Sequence, residues 1–389
     1  MSTLTPPKAA IPQPEELDPV WLETPQALDD WLAAIPPHGP VALDSEFERS
    51  TTFFARPGLV QIACGDQAYL IEPTVAASSQ GFRRFLADPD RCKLLYALSE
   101  DVELFREWLA VDVKGALDVQ LAAALAGEGL SVGFARLVSR LLGIDLDKGL
   151  TRSDWLARPL SQPQQQYALA DVVYLLPLYQ QLHERLAVSA QLEALQEESE
   201  RFCADLAELG NPETYYLRVR NGWFLSPTQQ ALLQRLCSWR EQRCRELDRP
   251  RGRVVADKLL LGIAEKQPRN ATALGRLPEM PPVVVRKHGD AILTLVEDTL
   301  EHPSAIVDLI APPLSREEQR SYKQVKELLE KALVDSPVPV ELLAPRRKLE
   351  AQFRDSLNSG QVPQLLTSGW RSTWLGPVMP QLEDLFSHG

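Results

Sequence analysis

The sequence predicts an α/β domain built on a mixed sheet, followed by two all-α helical domains, and three observations carry that prediction. Residues 41–71 hold three apolar runs of strand length with little turn material between them: VALDSEF (41–47), GLVQIAC (58–64) and QAYLI (67–71). Such spacing is the pattern of an antiparallel meander. Between residues 79 and 126 strand-like and helical segments then alternate, which lays helices on the same sheet. From residue 226 onward only helical periodicity remains, broken by Pro-rich junctions at 278–282 and 302–313.

Taken in order, residues 1–20 are rich in proline and poor in large apolar side chains, so they are expected to form a flexible arm. TPQALDDWLAAI then offers Thr24 as an N-cap, proline in the first turn, and Leu28, Trp31, Leu32 and Ile35 on one helical face. After the meander come helix 79–87, strand 93–97, helix 100–110 with Ser99 as N-cap, a short strand at 113–117 and helix 118–126. Helices at 133–142, 162–186 and 190–208 complete the domain. Ser161 and Gln164 stand at capping-box spacing, and Pro177 should kink or divide the helix that follows. Gly210, Asn211 and Pro212 mark a boundary. The expected division is therefore an arm at 1–20, an α/β domain at 21–210, a helical domain at 216–302 and another at 314–389.

The 389 residues are 44% hydrophobic and 24% charged, as in a globular protein. Neither a signal-peptide pattern nor a membrane-length apolar run is present, so a cytoplasmic location is expected. Five scattered cysteines with no C-x-x-C pair argue for reduced thiols and against a zinc site. No G-x-G-x-x-G follows a strand, which argues against a dinucleotide fold. Charge is divided unevenly: residues 1–215 carry 16 Lys and Arg against 32 Asp and Glu, a net −16, while the remainder nets +4 within a total of −12. The second half concentrates Arg235, Arg240, Arg243, Arg245, Arg249, Arg251 and Arg253, either a solvated helix face or a source of phosphate contacts.

Chemistry is concentrated in a few acids. On a strand, Asp44 and Glu46 project from one face while Leu43, Ser45 and Phe47 take the other. Two neighbouring carboxylates repel and raise one another's pKa, so such a pair on a core-building strand calls for a hard cation such as Mg²⁺ or Mn²⁺. Asp101 opens a helix after an apolar strand, where functional side chains collect, although an acid there also complements the helix dipole. Asp171 interrupts the apolar run YALADVVYLL, with Tyr167 one turn earlier on the same face. Singly, each has an ordinary structural reading.

Together, D-x-E on an early strand, an aspartate opening a later helix and Y-x-x-x-D on a third element resemble the three exonuclease motifs of the DEDD superfamily, in its tyrosine branch. The run 41–73, SEDVE, TRSDWLARPLSQ at 151–162 and YALADVVYLLPL are similar to the ribonuclease D family. The stretch 223–300 resembles the HRDC module shared by ribonuclease D and RecQ-type helicases, and 314–389 resembles a diverged second copy. In two places the chain departs from the family: Tyr96 and Leu98 stand where members often carry histidine and glycine.

The resemblance implies an RNase H-like fold with Asp44, Glu46, Asp101 and Asp171 binding two divalent ions, Mg²⁺ or Mn²⁺. Tyr167 would orient the attacking water, since a phenol of pKa near 10 is a poor base at neutral pH. Two ions roughly 4 Å apart can stabilise both entering and leaving oxygens of a phosphodiester. Asp118 matches a common family aspartate and is expected in a supporting role; Arg152 and Trp155 belong to a signature string without an assignable role. The implied activity is metal-dependent 3′-to-5′ exoribonuclease action on RNA 3′ ends, in particular transfer RNA precursors, by a monomer with no membrane association, releasing nucleoside 5′-monophosphates. A DNA 3′-to-5′ exonuclease and a non-catalytic nucleic-acid scaffold are the alternatives.

Overall fold

A computed structural model describes residues 11–147, 149–150, 153–188, 191–302 and 308–387. They form two compact units. The first joins residues up to 48 with 57–203 and 315 onward; the second joins 49–56 with 204–314.

The first unit is built on a five-stranded sheet: β1 (Val41–Glu48), β2 (Arg56–Cys64), β3 (Gln67–Ile71), β4 (Lys93–Leu95) and β5 (Ala116–Asp118). Strand order is β3-β2-β1-β4-β5. β2 and β3 are antiparallel, whereas β4 runs parallel to both β1 and β5, so the sheet is mixed. The central strand begins with Val41, Ala42 and Leu43, all fully buried, and that apolar stem fixes the acids beyond it.

The helices follow local signals. α1 (Pro25–Ala34) is capped by Thr24 Oγ1, which accepts from Ala27 N at 3.2 Å, and buries Leu28, Trp31 and Leu32. α2 (Pro73–Ser78), α3 (Gln80–Ala87), α4 (Ser99–Leu109), α5 (Val119–Leu125) and α6 (Phe134–Leu142) follow. The long helix expected over 162–186 is two: α7 (Gln162–Val173), with the Ser161–Gln164 capping box formed, and α8 (Leu175–Val188). The break at Tyr174 lies one turn before Pro177, whose ring displaces the preceding carbonyls and donates no hydrogen bond. α9 (Leu192–Leu209) closes this stretch. α7 packs against β1 and β3, which carries Asp171 to the strand bearing Asp44.

Some local expectations are corrected. β4 stops at Leu95 because Ala97 takes φ +54°. β5 starts only at Ala116: Gly115 has φ +63°, and a Cβ there would lie 2.6 Å from the Arg91 and Pro89 carbonyls. Ser99 is the first helical residue of α4 and does not cap it. The arm is ordered over 11–20, where Pro12 O accepts from the Tyr174 hydroxyl at 2.9 Å and Leu17 is buried; residues 1–10 lie outside the described residues.

Also in the first unit, after the helices of the second, are α15 (Arg316–Ala332), α16 (Val340–Leu343), α17 (Arg346–Ser359), α18 (Gln364–Thr367), α19 (Trp370–Leu375) and α20 (Met379–Ser387). Phe353 holds α15 and α20 together, its ring edge-on to Tyr322 at 5.2 Å and to Phe386 at 5.7 Å. The second unit is helical: α10 (Pro227–Leu247), α11 (Arg251–Val254), α12 (Asp257–Lys266), α13 (Ala271–Gly275) and α14 (Pro282–Glu301). Phe53, Leu232, Leu236, Leu260 and Ile292 share its core. Among the described residues no helix is long and apolar enough to cross a membrane, and the five cysteines are free thiols.

Candidate active site

The alternation of β1 sends Asp44 and Glu46 to one side, and α7 brings Asp171 to meet them. One oxygen from each carboxylate falls within a group whose members all lie within 4.8 Å of one another. Burial above all, then the charges of Asp101, Asp171 and Glu46, holds Asp44 well above the usual carboxylate range. Burial, then the charges of Asp171 and Asp101, pushes Glu46 up to about 9, and burial, then Asp101, pushes Asp171 to about 8. Three hard oxygen donors that repel one another in a partly dry site fit a divalent cation, which would neutralise them.

Asp101 is brought close enough for its charge to act on Asp44, but it lies outside that three-acid group. It is buried, and its Oδ1 accepts a hydrogen bond from the Ser45 hydroxyl. Burial raises it to about 7 despite that bond. Ser45 is a residue that sequence reasoning missed; it reads as a filler on the core face, and its partner is 56 positions away.

Tyr167 lies one turn before Asp171 on α7, with its ring 6.0 Å from that of the buried Trp155. Trp155 is thus a core residue that flanks Tyr167, while Arg152 lies outside the described residues. Asp118 is not among the three clustered acids: its carboxylate accepts from Ala97 N at 3.0 Å, Leu98 N at 3.3 Å and Gln120 N at 2.9 Å. Of the two departures from the family pattern, Leu98 is fully buried and Tyr96 donates its hydroxyl to Val132 O while packing edge-on to Phe134.

In the second unit the arginines divide by role. Arg240 is fully buried, over the Tyr215 ring at 4.6 Å and bonded to Asp257 at 2.8 Å, Val255 O at 3.0 Å and Glu241 at 3.1 Å. Arg251 is committed to Glu241 through two 2.7 Å bonds, Arg245 to Gly210 O at 2.8 Å, and Arg235 to Asp298. These are structural, contrary to the reading of the whole run as one face or one phosphate site. Arg243, Arg249 and Arg253 instead line a cleft of about 750 Å³ together with Lys287 and His288. A cation-lined cleft of this kind suits phosphate.

Comparison with known proteins places both regions in known families. Residues 19–187 match the family model described as 3′-5′ exonuclease, and 229–296 match the HRDC domain. Ribonuclease D of Pseudomonas paraeruginosa is 34% identical over 342 residues, covering 87% of this chain and 90% of its own. Ribonuclease D of Escherichia coli is 32% identical over 373 residues, covering 93% and 97% respectively. The crystal structure of E. coli RNase D, described as an exoribonuclease involved in structured RNA processing, superposes with a TM-score of 0.83 at 30% identity over 95% of this chain and 99% of that one.

Proposed function

Because the chain belongs to the ribonuclease D family and is a 3′-to-5′ exoribonuclease, we propose that it trims the 3′ ends of structured RNA, in particular transfer RNA precursors, releasing nucleoside 5′-monophosphates. The observation that supports this most is the convergence of Asp44, Glu46 and Asp171 from two elements upon one point.

In this reading Asp44, Glu46, Asp101 and Asp171 hold two divalent ions, Mg²⁺ or Mn²⁺. When bound, the ions supply a nucleophilic water at neutral pH and charge stabilisation for the scissile phosphate. The four carboxylates offset the ionic charge and keep room for phosphate oxygens. Tyr167, on the same helix face as Asp171, holds the water in line with the phosphorus through its hydroxyl, with Trp155 limiting the movement of its ring. Arg249, Arg253 and Lys287 contact backbone phosphates of the RNA body, a component that weakens with salt. The enzyme acts as a monomer in the cytoplasm.

The test is shortening of a 5′-labelled RNA ending in a single-stranded 3′ tail, with Mg²⁺ or Mn²⁺, beside DNA of the same sequence. Stepwise loss of 3′ nucleotides from RNA, abolished by chelator and reduced roughly 10²–10⁴-fold in Asp44→Asn, is expected, since each site carboxylate supports several kcal/mol of charge stabilisation. Undiminished cleavage by Asp44→Asn would remove the assignment.

A further inference from the structure

Asp101 differs from the other three acids in how it is held, and its support can be followed outward through the first unit. The turn leading into α4 has no local cap: Leu98 makes no side-chain capping bond, and Ala97 sits in the left-handed region that a Cβ disfavours. The Asp118 carboxylate, from the end of β5, takes both N–H groups of that turn, at 3.0 and 3.3 Å. Asp118 in turn donates its own N–H to the Ser199 hydroxyl at 3.2 Å.

Ser199 adjoins Glu198 on α9, and Glu198 is where the C-terminal helices attach. The buried Glu198 carboxylate accepts from Trp370 Nε1 at 2.9 Å and pairs with Arg371 at 2.5 Å. Arg371 also donates to the carbonyls of Leu343 at 2.6 Å and Leu342 at 3.1 Å. Beside it Trp370 N donates to Glu197 at 3.1 Å, an approach that Gly369 at φ +57° permits, because a Cβ there would collide with that carboxylate. Asp118, Glu198, Ser199 and Arg371 are all at most 5% exposed, and hydrogen bonds buried in this way are stronger than those in bulk solvent.

We propose that Asp118 and Arg371 are positioning residues for Asp101: the C-terminal helices, through Arg371 and Glu198, fix α9, Ser199 fixes the end of β5, and Asp118 fixes the turn that aims the acid. This rests on the reading of Asp101 as a metal-binding carboxylate. Supporting hydrogen bonds behind metal ligands set ligand orientation, and their loss weakens binding far from any contact with the ion.

The experiment is Mn²⁺ titration of the full chain, followed by electron paramagnetic resonance of the free ion, with thermal stability and with kcat and KM on a short RNA. Asp118→Asn keeps the shape but can accept from only one of the two N–H groups, and should weaken Mn²⁺ binding about tenfold. Ser199→Ala and Arg371→Met should each weaken it several-fold, with kcat lowered and KM for RNA unchanged. Residues acting along one route do not add, so the Asp118→Asn/Arg371→Met double variant should bind Mn²⁺ no worse than Asp118→Asn alone. Effects that multiply, or parental Mn²⁺ affinity in Asp118→Asn and Ser199→Ala with only thermal stability reduced, would overturn the proposal. Should Arg371→Met fail to fold, Ser199→Ala, which deletes one hydroxyl, decides the matter by the same criteria. Failure of the metal reading itself looks different: the parent chain would then show no Mn²⁺ binding that Asp44→Asn removes.

Discussion

Replacing Asp171 with asparagine should make the metal-free protein more stable, although it ruins the site. Burial first, and then the charge of Asp101, lifts the Asp171 carboxyl from its ordinary 3.8 to about 8. A carboxyl whose pKa is raised on folding favours the folded state fully below pH 4, and that contribution is lost as pH rises through 8. Each pH unit in this window costs about 1.4 kcal/mol for one such group, so the span from pH 5 to 8 sets an upper limit of about 4 kcal/mol. Asp44, Glu46 and Asp101 titrate with it as a set, so the loss belongs to the group of acids. In chelator, the parent's melting temperature should fall between pH 5 and 8 by at most about 8–16 °C per such group, taking 2–4 °C per kcal/mol for a unit of this size. Asp171→Asn should flatten that slope and melt higher than the parent at pH 8, whereas Mn²⁺ should raise only the parent. Differential scanning calorimetry in both buffers makes the comparison. A parent melting temperature that climbs from pH 5 to 8, or an Asp171→Asn variant less stable than the parent at pH 8 without metal, would refute the argument.

Other expectations concern separate parts of the molecule. Tyr167→Phe removes one hydroxyl and should lower kcat roughly 10–100-fold through lost positioning, with KM and melting temperature unchanged; steady-state kinetics on a short RNA reads this directly. Arg249→Ala and Arg253→Ala should weaken RNA binding and each reduce the slope of log affinity against log salt by about 0.7 if the contact is to single-stranded phosphate; filter binding across a salt series measures it, and an unchanged slope would exclude the cleft. Arg240→Met removes the buried guanidinium's bonds to Asp257 and Val255 O while Glu241 keeps Arg251, and should cost the second unit about 1–3 kcal/mol, seen as an earlier transition in urea, while the neighbouring exposed Lys287→Met should move that transition by less than about 0.5 kcal/mol.

The acids of the site were legible because each interrupts an apolar segment: Asp44 and Glu46 in VALDSEF, and Asp171 in YALADVVYLL. Period-2 alternation then settles the face without any tertiary information. The mixed sheet could be read for the same reason, from runs whose length and spacing are local properties, and so could the Ser161–Gln164 box and the break before Pro177. What escaped is the set of side chains whose partners are far away in sequence. Ser45 has no local mark that separates a hydroxyl serving Asp101 from one filling the core. Ser99, expected as the cap of α4, is its first helical residue, one position past the N-cap Leu98, while the carboxylate that holds the preceding turn arrives from Asp118, 21 positions downstream of Ala97. Arg240 reads as one more cation in a basic run; its burial follows from Tyr215 and Asp257 closing over it, a tertiary event invisible to periodicity.

The two units are interleaved along the chain, and this bears on how the protein is made. Residues 49–56 leave β1 to join the second unit, where Phe53 N and Phe54 N donate to Asp248, about 195 positions later, at 2.9 and 3.0 Å. Residues 370 and 371, in turn, return to Glu197 and Glu198, which lie some 173 positions earlier. Contacts this remote carry a heavy loop-closure entropy and slow folding. On the ribosome, at about 5–20 residues per second, the segment carrying Asp44 waits tens of seconds for Trp370 and Arg371 to emerge. If Arg371 positions Asp101 as proposed, the nascent chain therefore carries Asp44 and Glu46 long before the helix that secures their partner acid has been made.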